Sequence, residues 1–441
     1  MNIVQLTPGA GKMFCGGCLR DNALVSGLRK LGHSTVMMPL YLPLTLDEQD
    51  ETLGTPVFFG GINVYLEEKS ALFRRAPGWL RRQLSAPWLL RLASGKAAKT
   101  RPSDVGDLTL SMLRGEHGHQ ARDLEELIHW LKHQEKPDLI SLSNVLLAGM
   151  ARRMRRELGI PVVCSLQGED WFLDSLPEEN RNEAWRLLAD AGREVDFFIA
   201  PSRYYAELMG RRMSIPPEKL RVVHNGIHLA GYRVAEAPPS PPVLGYFARL
   251  CREKGLDLLV EAYILLKKRG RIPGLRLKAG GSCGPTDQPL VEELKAKLGR
   301  EGLLGEASFH PNVTLEEKQA LYGSFSFFST PAPYGEAFGL YVIEAMAAGV
   351  PVAQPDHGAF PELVRASGGG VIYPAGKPES LARAVEELWA RPDHGRSLGL
   401  AGRKAVETSF NVESMSRAVL DVFEEAVKLR TAPRGEAKSA S

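Results

Sequence analysis

Two glutamates stand out in an otherwise uncharged stretch, YGEAFGLYVIEAMAAGVPV, which runs from Tyr334 to Val352. They are Glu336 and Glu344, and their neighbours are apolar, aromatic or glycine. The residues from Leu340 to Ala348 have the pattern of a short helix that a glycine and a proline end. A carboxylate in such an apolar helix is costly unless something hydrogen-bonds it. Both glutamates are therefore candidate ligand-binding groups.

The residues around this pair suit a ligand that carries phosphates and hydroxyls. Gly335 and Gly339 flank the first glutamate, so that backbone N–H groups can approach a ligand closely. The residues from Phe338 to Tyr341 begin the helix and offer free N–H groups and the positive end of its dipole to an anion. Glu344 lies about one turn further along, where it can accept hydrogen bonds from hydroxyls. The alternative is one surface-facing glutamate and one ordinary loop glutamate, but their apolar surroundings favour binding.

The rest of the chain must position these residues, and its pattern predicts an α/β fold. Strand-like runs such as VLGYFA and LRLKAGG alternate with helical patterns such as LDLLVEAYILLKKRG, which favours parallel sheets covered on both faces. The proline-rich AEAPPSPPV, residues 235–243, is the best linker. We predict two doubly wound, Rossmann-like domains at residues 1–234 and 235–411. A final helix at about 412–430 can pack back on the first domain.

Length and composition agree with two domains of an ordinary globular protein. The 441 residues exceed what one core usually holds, and the apolar and charged fractions are 44% and 24%. Five cysteines form no even framework, which favours a reducing compartment. The chain starts without the pattern of a signal peptide and has no apolar run of about 20 residues. We therefore expect a cytoplasmic protein without a nucleic-acid partner.

Several motifs together resemble the retaining glycosyltransferases of the GT-B fold, family 4. The two glutamates, separated by seven residues, resemble the family's signature, and GYFARLCREKGLDLLVEA (residues 245–262) resembles its diphosphate-gripping strand–loop–helix. VVHNGIH, LKAGGSCG and GAFPELV are similar to three of its loops. The first half also faintly resembles glycogen and starch synthases. The resemblance implies two domains facing each other across a cleft, with the acceptor in the first and a nucleotide sugar in the second. It also implies transfer of a hexosyl group, with retention, to a hydroxyl of a glycan, lipid or small molecule.

Three catalytic candidates follow from this resemblance. Arg249 and Lys254 would grip the donor diphosphate, and Glu336 would contact the hydroxyls of the transferred sugar. Lone basic residues are usually solvated, but these two follow a predicted strand at the end where α/β sheets bind ligands. Cations at that place stabilise the charge of a leaving diphosphate. No Asp-x-Asp pair follows a strand, so we expect neither a metal nor a cofactor other than the donor substrate.

The donor-binding candidates come from both halves of the chain. The resemblance assigns the ribose hydroxyls to Glu344 and phosphate-binding N–H groups to the start of the helix. Those N–H groups belong to Phe338, Gly339 and Leu340. In the first half, Gly16 and Gly17 lie in FCGGCLRDNALVSGL, which is similar to the family's glycine loop. Gln167, in SLQGEDWFLD, stands where the family often has a histidine that contacts the donor sugar.

Gln167 is the main departure from the family pattern. A glutamine can hydrogen-bond a sugar hydroxyl but cannot titrate, which puts an acid–base role at this position in doubt. It supports an alternative, a non-catalytic protein with a decayed sugar-nucleotide site. A nicotinamide-dependent oxidoreductase is disfavoured, because Phe14 stands where a dinucleotide-binding loop needs a glycine. The neighbouring Glu169 and Asp170 either face the acceptor or cap the next segment.

Two further features invite functional hypotheses. Cys15 and Cys18 form a C-x-x-C pair, but one pair is only half of a zinc site, and a structural role is favoured. The segment 70–103 contains eight basic residues, no acids and three interleaved bulky aromatics. It could rest on anionic lipid at the inner face of a membrane or hold an anionic acceptor. A solvated insertion covering the cleft is equally compatible with this composition.

Overall fold

The computed structural model describes residues 1–9, 16–42, 49–52, 55, 57–59 and 102–431, with side chains from Gly106 onward in the last range. The hypotheses about Cys15 and about the basic side chains of segment 70–103 concern residues outside this description. So does Phe14, the residue that argues against a dinucleotide-binding loop.

Two six-stranded parallel sheets organise the described residues. The strands are β1 Asn2–Thr7, β2 Ser34–Pro39, β3 Leu139–Leu142, β4 Val162–Ser165, β5 Phe197–Ala200, β6 Leu220–Val222, β7 Val243–Phe247, β8 Arg276–Gly281, β9 Ala307–Pro311, β10 Phe327–Phe328, β11 Val352–Pro355 and β12 Gly370–Tyr373. The first sheet has the order β2-β1-β3-β4-β5-β6, and the second has the order β12-β11-β10-β7-β8-β9.

Helices connect the strands and cover the sheets. They are α1 Gly16–Lys30, α2 Pro102–Leu113, α3 Ala121–Lys132, α4 Ala151–Leu158, α5 Glu169–Asp174, α6 Glu178–Gly192, α7 Arg203–Met213, α8 Leu256–Arg269, α9 Gln288–Arg300, α10 Leu315–Gly323, α11 Leu340–Ala347, α12 Phe360–Ser367, α13 Pro378–Ala390, α14 Pro392–Thr408 and α15 Val412–Thr431. Short 3₁₀ segments lie at Gly115–His117, Val145–Met150, Pro217–Lys219, Arg252–Lys254 and Leu304–Glu306.

The central strands are apolar because both faces of each sheet are covered. Every residue of β3, β4 and β5 is buried, as the sequences LISL, VVCS and FFIA require. The predicted fold class, with two doubly wound α/β domains, is confirmed. The long helix α15 follows the second sheet in the chain but packs on α1 and the first sheet, where Val419 and Phe423 meet Leu24 and Leu28. Among the described helices, none is long and apolar enough to cross a membrane.

Strand order marks where each sheet can bind a ligand. In the first sheet the order reverses between β1 and β3, and in the second it reverses between β7 and β10. At such a switch point the flanking connections leave on opposite faces, which opens a crevice at the carboxyl ends of the strands.

Candidate active site

An ion pair between Lys254 and Glu336 lies at the crevice of the second sheet. The lysine follows β7 and the glutamate follows β10, so that 82 positions of chain separate two groups in direct contact. Tyr341 donates a hydrogen bond of 2.7 Å from its hydroxyl to the same carboxylate. Gly255 makes this approach possible, because it has a φ of +71° and any Cβ there would collide with the carbonyl oxygen of Pro331.

The electrostatics of this pair favour its charged form. Burial raises the pKa of Glu336, but the Lys254 ammonium and the hydroxyl of Tyr341 lower it, and the net pKa lies below the ordinary value. Burial lowers the pKa of Lys254, but the charges of Glu336 and Tyr334 and the hydrogen bonds to them together outweigh burial, and the net pKa is raised. The ammonium also lies 5.1 Å from the ring centroid of Tyr334. A fixed cation and a fixed carboxylate therefore stand side by side at the ligand-binding edge.

Glu344 is held inside the second domain by two donors. Tyr322 donates a hydrogen bond of 2.8 Å to one carboxylate oxygen, and the ammonium of Lys318 lies 3.2 Å from the other. The glutamate side chain is only 13% exposed, because α11 buries Val342 and Ile343 around it. The sequence indicates that a carboxylate in this apolar helix needs hydrogen-bonding partners. A tyrosine and a lysine of α10 are those partners.

The start of α11 is shaped for close approach. Gly339 precedes the helix with a φ of +93°. Among the described residues, no side chain caps the N-terminus of α11 by a hydrogen bond. Phe338 is buried beside the rings of His224 and Phe410, which anchors the turn that leads into the helix. Leu340 lines a cavity of about 170 Å³. The first N–H groups of the helix are therefore positioned at the edge of that cavity.

Arg249 lines the same cavity and is clasped by Asp287. The guanidinium Nε lies 3.1 and 3.0 Å from the two carboxylate oxygens, and one Nη atom lies 2.9 Å from the first. The aspartate is buried and also accepts a hydrogen bond from the N–H of Gly284, whereas the arginine side chain is 53% exposed. This geometry fixes one edge of the guanidinium plane and leaves the other side of the group toward solvent.

Gln167 lies at the crevice of the first sheet. Its amide nitrogen donates to the carbonyl oxygen of Ser143 at 2.7 Å and to a carboxylate oxygen of Asp21 at 3.3 Å. Asp21 is fully buried, and burial raises its pKa although the neighbouring Arg20 opposes the shift. Because both amide hydrogens are engaged, only the oxygen of Gln167 remains to meet a hydroxyl.

The two acidic residues after Gln167 differ in environment. Glu169 is buried and accepts hydrogen bonds from the N–H groups of Val145 and Gln167 and from the hydroxyl of Tyr205. It therefore stabilises the turn after β4. Asp170 is half-buried and lies 3.0 Å from the same hydroxyl. Burial raises the pKa of both carboxyls.

The first turn of α1 reaches the second domain. Gly16 lines the 170 Å³ cavity together with Arg249 and Glu344, and a Cβ on it would come within 3.8 Å of the Leu340 side chain. Gly17 follows it in the same first turn, and Cys18 is buried. The predicted glycine loop and the start of α11 therefore face each other across one cavity.

Direct contacts also join the two domains beside Glu336. The Ser202 hydroxyl donates 2.7 Å to the carbonyl oxygen of Ala337. Glu362 of α12 accepts a hydrogen bond of 2.9 Å from the N–H of Arg203, at the start of α7, and lies 2.8 Å from a ring nitrogen of His224. These contacts hold the loop that carries Glu336 against the first domain.

With the geometry described, similarity to known proteins identifies the family. Residues 233–405 match the family described as Glycosyl transferases group 1, and residues 100–230 match Glycosyltransferase Family 4. Together the two matches cover well over half of the chain. The chain belongs to the family 4 glycosyltransferases of the GT-B fold.

Several relatives of this chain are named as glycosyltransferases. The chain is 29% identical over 246 residues to D-inositol 3-phosphate glycosyltransferase of Streptomyces bingchenggensis, which is 53% of this chain and 54% of that protein. It is 25% identical over 382 residues to the enzyme of that name from Segniliparus rotundus, which covers 78% of this chain and 80% of that protein. For most of these relatives, the similarity spans about half of their length.

Solved glycosyltransferase structures share the fold. HepE of Anabaena, in complex with UDP, superposes with a TM-score of 0.67 and 17% identity over 96% of this chain and 100% of that chain. Sucrose-phosphate synthase from Thermosynechococcus elongatus superposes with a TM-score of 0.67 and 17% identity, over 96% of this chain and 99% of that chain. At this identity the likeness establishes the GT-B fold alone. The decayed-site alternative is not favoured, because the named relatives are glycosyltransferases.

The structure brings the predicted site residues into two groups. Arg249, Lys254 and Glu336 follow strands of the second sheet. The donor-binding candidates lie around α11 and the opposing turn of α1, with Gln167 at the other crevice; they are Gly16, Gly17, Gln167, Phe338, Gly339, Leu340 and Glu344. The roles assigned to all ten residues remain predictions.

Sequence reasoning missed the partners of these residues. Asp287, Lys318, Tyr322 and Asp21 were not singled out, although each directly contacts a predicted site residue. One signal was available for Lys318 and Tyr322, which are four apart in the run LEEKQALYGS, whose pattern is helical, and therefore share a face. A lysine on the same face as an aromatic residue in an α/β core indicates a buried charge that needs a partner.

Proposed function

We propose that this protein transfers a hexosyl group from a nucleoside-diphosphate sugar to an acceptor hydroxyl, with retention of anomeric configuration. The observation that carries the proposal is the ion pair of Lys254 and Glu336 at the β7–β10 crevice. It supplies a cation for a leaving phosphate and a carboxylate for sugar hydroxyls at the edge where α/β sheets bind ligands. Family membership supports the same reaction.

Each step of the reaction can be assigned to groups of this chain. The bond between the anomeric carbon and the phosphate oxygen breaks with its electron pair on the phosphate, next to Lys254 and Arg249. Glu336 holds hydroxyls of the sugar while positive charge develops on its ring, and Glu344 holds the ribose. The acceptor oxygen then bonds the anomeric carbon from the same face, and its proton passes to the leaving phosphate oxygen. Gln167 contributes hydrogen bonding and no proton.

The chemical class of the ligands is proposed from the relatives. HepE of Anabaena was solved with UDP and with UDP-glucose, which makes uridine donors the first to test here. Relatives named for D-inositol 3-phosphate or colanic acid support a polar hydroxyl acceptor, with a glycan or an anionic lipid as the proposed classes. We propose no cofactor besides the donor, because protein groups can stabilise the phosphate charge.

A two-stage experiment tests the function. Thermal unfolding is measured with a panel of uridine, guanosine and adenosine diphosphate sugars, because a ligand at about 100 times its Kd adds about 2.7 kcal/mol of stability. The stabilising donor is then incubated with glycan and lipid acceptors, and the anomeric configuration of the product is determined by NMR. The proposal expects a product with the anomeric configuration of the donor. Stabilisation without any donor consumption would support a binding protein instead, and an inverted product would contradict the retaining reaction.

A further inference from the structure

Lys318 is a buried lysine at the centre of the donor cleft. Lys318 belongs to α10, and only 8% of the residue is exposed. Its ammonium lies 3.2 Å from a carboxylate oxygen of Glu344. It lines both the 170 Å³ cavity that contains Arg249 and a neighbouring cavity of about 350 Å³ between the domains. Lysine is almost never this buried without a specific partner. Its position therefore requires an explanation beyond helix formation.

Neutralising Glu344 explains only part of this arrangement. Tyr322 already donates a hydrogen bond to the other oxygen of the carboxylate, and neutral donors are sufficient to satisfy a carboxylate. A buried lysine loses solvation, so a purely structural pair of this kind gains little over a neutral alternative. Lysine does add something that tyrosine lacks, which is a group with three donors and no acceptor.

The two charged groups are complementary to a hydroxyl. Glu344 only accepts hydrogen bonds, Lys318 only donates them, and a hydroxyl does both. Because the two groups lie only 3.2 Å apart, one hydroxyl beside the pair can donate to the carboxylate and accept from the ammonium. Tyr322 and Lys318 leave further lone pairs on the carboxylate for a second hydroxyl of a diol.

We propose that Lys318 is a specificity-determining residue that, together with Glu344, recognises a ribose hydroxyl of the donor nucleotide. The inference rests on the proposed function, because it assigns a ribose to Glu344. It predicts a preference for ribonucleotides over deoxyribonucleotides that depends on the lysine. A residue that only supports the fold would change the affinity for both kinds of nucleotide equally.

The test measures how removal of the lysine and removal of a ribose hydroxyl are coupled. Calorimetry gives the Kd of UDP, GDP and ADP and of their 2′-deoxy and 3′-deoxy counterparts. The proteins are the natural chain, Lys318→Met, Lys318→Arg and the control Lys278→Met, which removes a partly buried lysine bonded to Ser324 and outside both cavities. Melting temperatures establish that each variant is folded.

The natural protein should bind its best ribonucleotide at least about tenfold more tightly than one of the deoxy forms, which corresponds to about 1.4 kcal/mol. Lys318→Met should reduce this ratio at least about fivefold, Lys318→Arg should keep most of it, and Lys278→Met should leave it unchanged. If folded Lys318→Met keeps the natural ratio of ribonucleotide to deoxynucleotide affinity, the inference about Lys318 is overturned and the proposed function is not affected. Equal weakening of both kinds of nucleotide leads to the same conclusion. Absence of any nucleotide binding by the natural protein contradicts the proposed function and this inference with it.

Discussion

The Lys254 ammonium and the Glu336 carboxylate join the loop after β7 to the loop after β10 across the switch point of the second sheet. Arg249 with Asp287 and Lys318 with Glu344 repeat the arrangement nearby. In the described part of the cleft, every cation to which we assign a role in donor binding is thus paired with a carboxylate. The pairs hold these groups in place before a ligand arrives, which favours a preorganised site.

Loss of Lys254 should destabilise the protein in a pH-dependent way. The pKa of Glu336 lies below its ordinary value of 4.5, so the pair stabilises the fold above that pH and loses this contribution as the pH falls through the folded pKa. In Lys254→Met the carboxylate is buried without its cation, which costs about 3 kcal/mol at pH 7. At pH 4 protonation of Glu336 relieves much of this cost. Urea unfolding of both proteins at the two pH values measures it, and an equal loss at both would refute the linkage.

Asp287 should position Arg249 for the donor diphosphate. Asp287→Asn keeps an acceptor for Gly284 but weakens the clasp on the guanidinium, and we expect turnover to fall about five- to thirtyfold, or about 1 to 2 kcal/mol. The matched control is Asp257→Asn, which loosens the pair with Arg252. Steady-state kinetics should show a loss for the first variant and none for the second. Equal kinetics for Asp287→Asn and the natural protein would show that the pair with Asp287 does not position Arg249 for the reaction.

Gln167 should contribute to both stability and turnover. Gln167→Ala removes the hydrogen bonds to Asp21 and Ser143, and we expect the free energy of unfolding to fall by about 1 to 3 kcal/mol. Gln167→His should retain much of the activity if the position acts by hydrogen bonding. A clear rise in turnover for the histidine variant would instead show that proton transfer matters here. Kinetics and urea unfolding of the two variants distinguish these outcomes.

Chelation of metal ions should leave the reaction unchanged. Lys254, Arg249 and the start of α11 are the groups to which we assign the phosphate charge, and none of them needs a metal to act. Turnover is measured with and without EDTA and again after addition of Mg²⁺ or Mn²⁺. Loss of activity with EDTA and recovery with either ion would contradict the assignment.

The fold could be predicted largely because its strands are buried on both faces. Apolar runs such as those of β3 and β4 then differ sharply from the amphipathic helices between them. The short edge strand β6, with the sequence LRV, gives no such signal because none of its residues is buried. The pattern VLLAGMARRMRRELG indicates a single helix, but the chain forms a 3₁₀ segment at Val145–Met150 before α4, capped by the side chain of Asn144.

The candidate site could be predicted in part for a different reason. Glu336 and Glu344 were found because charged residues in an apolar segment need partners. Arg249 and Lys254 were found through the family resemblance, which their place after a strand supports. Their partners could not be read from the sequence, since contacts across 38 or 82 positions depend on how the strands are ordered in the sheet. Local sequence pattern carries no record of that order.

The most direct test of this account is the rate of sugar transfer from the stabilising nucleotide sugar by the natural protein, Lys254→Met and the control Lys278→Met. All three are assayed under conditions where melting temperatures show that they are folded. We predict transfer by the natural protein and the control, and a loss of at least about 100-fold, or about 2.7 kcal/mol, in Lys254→Met. Folded Lys254→Met with the natural rate would contradict the account.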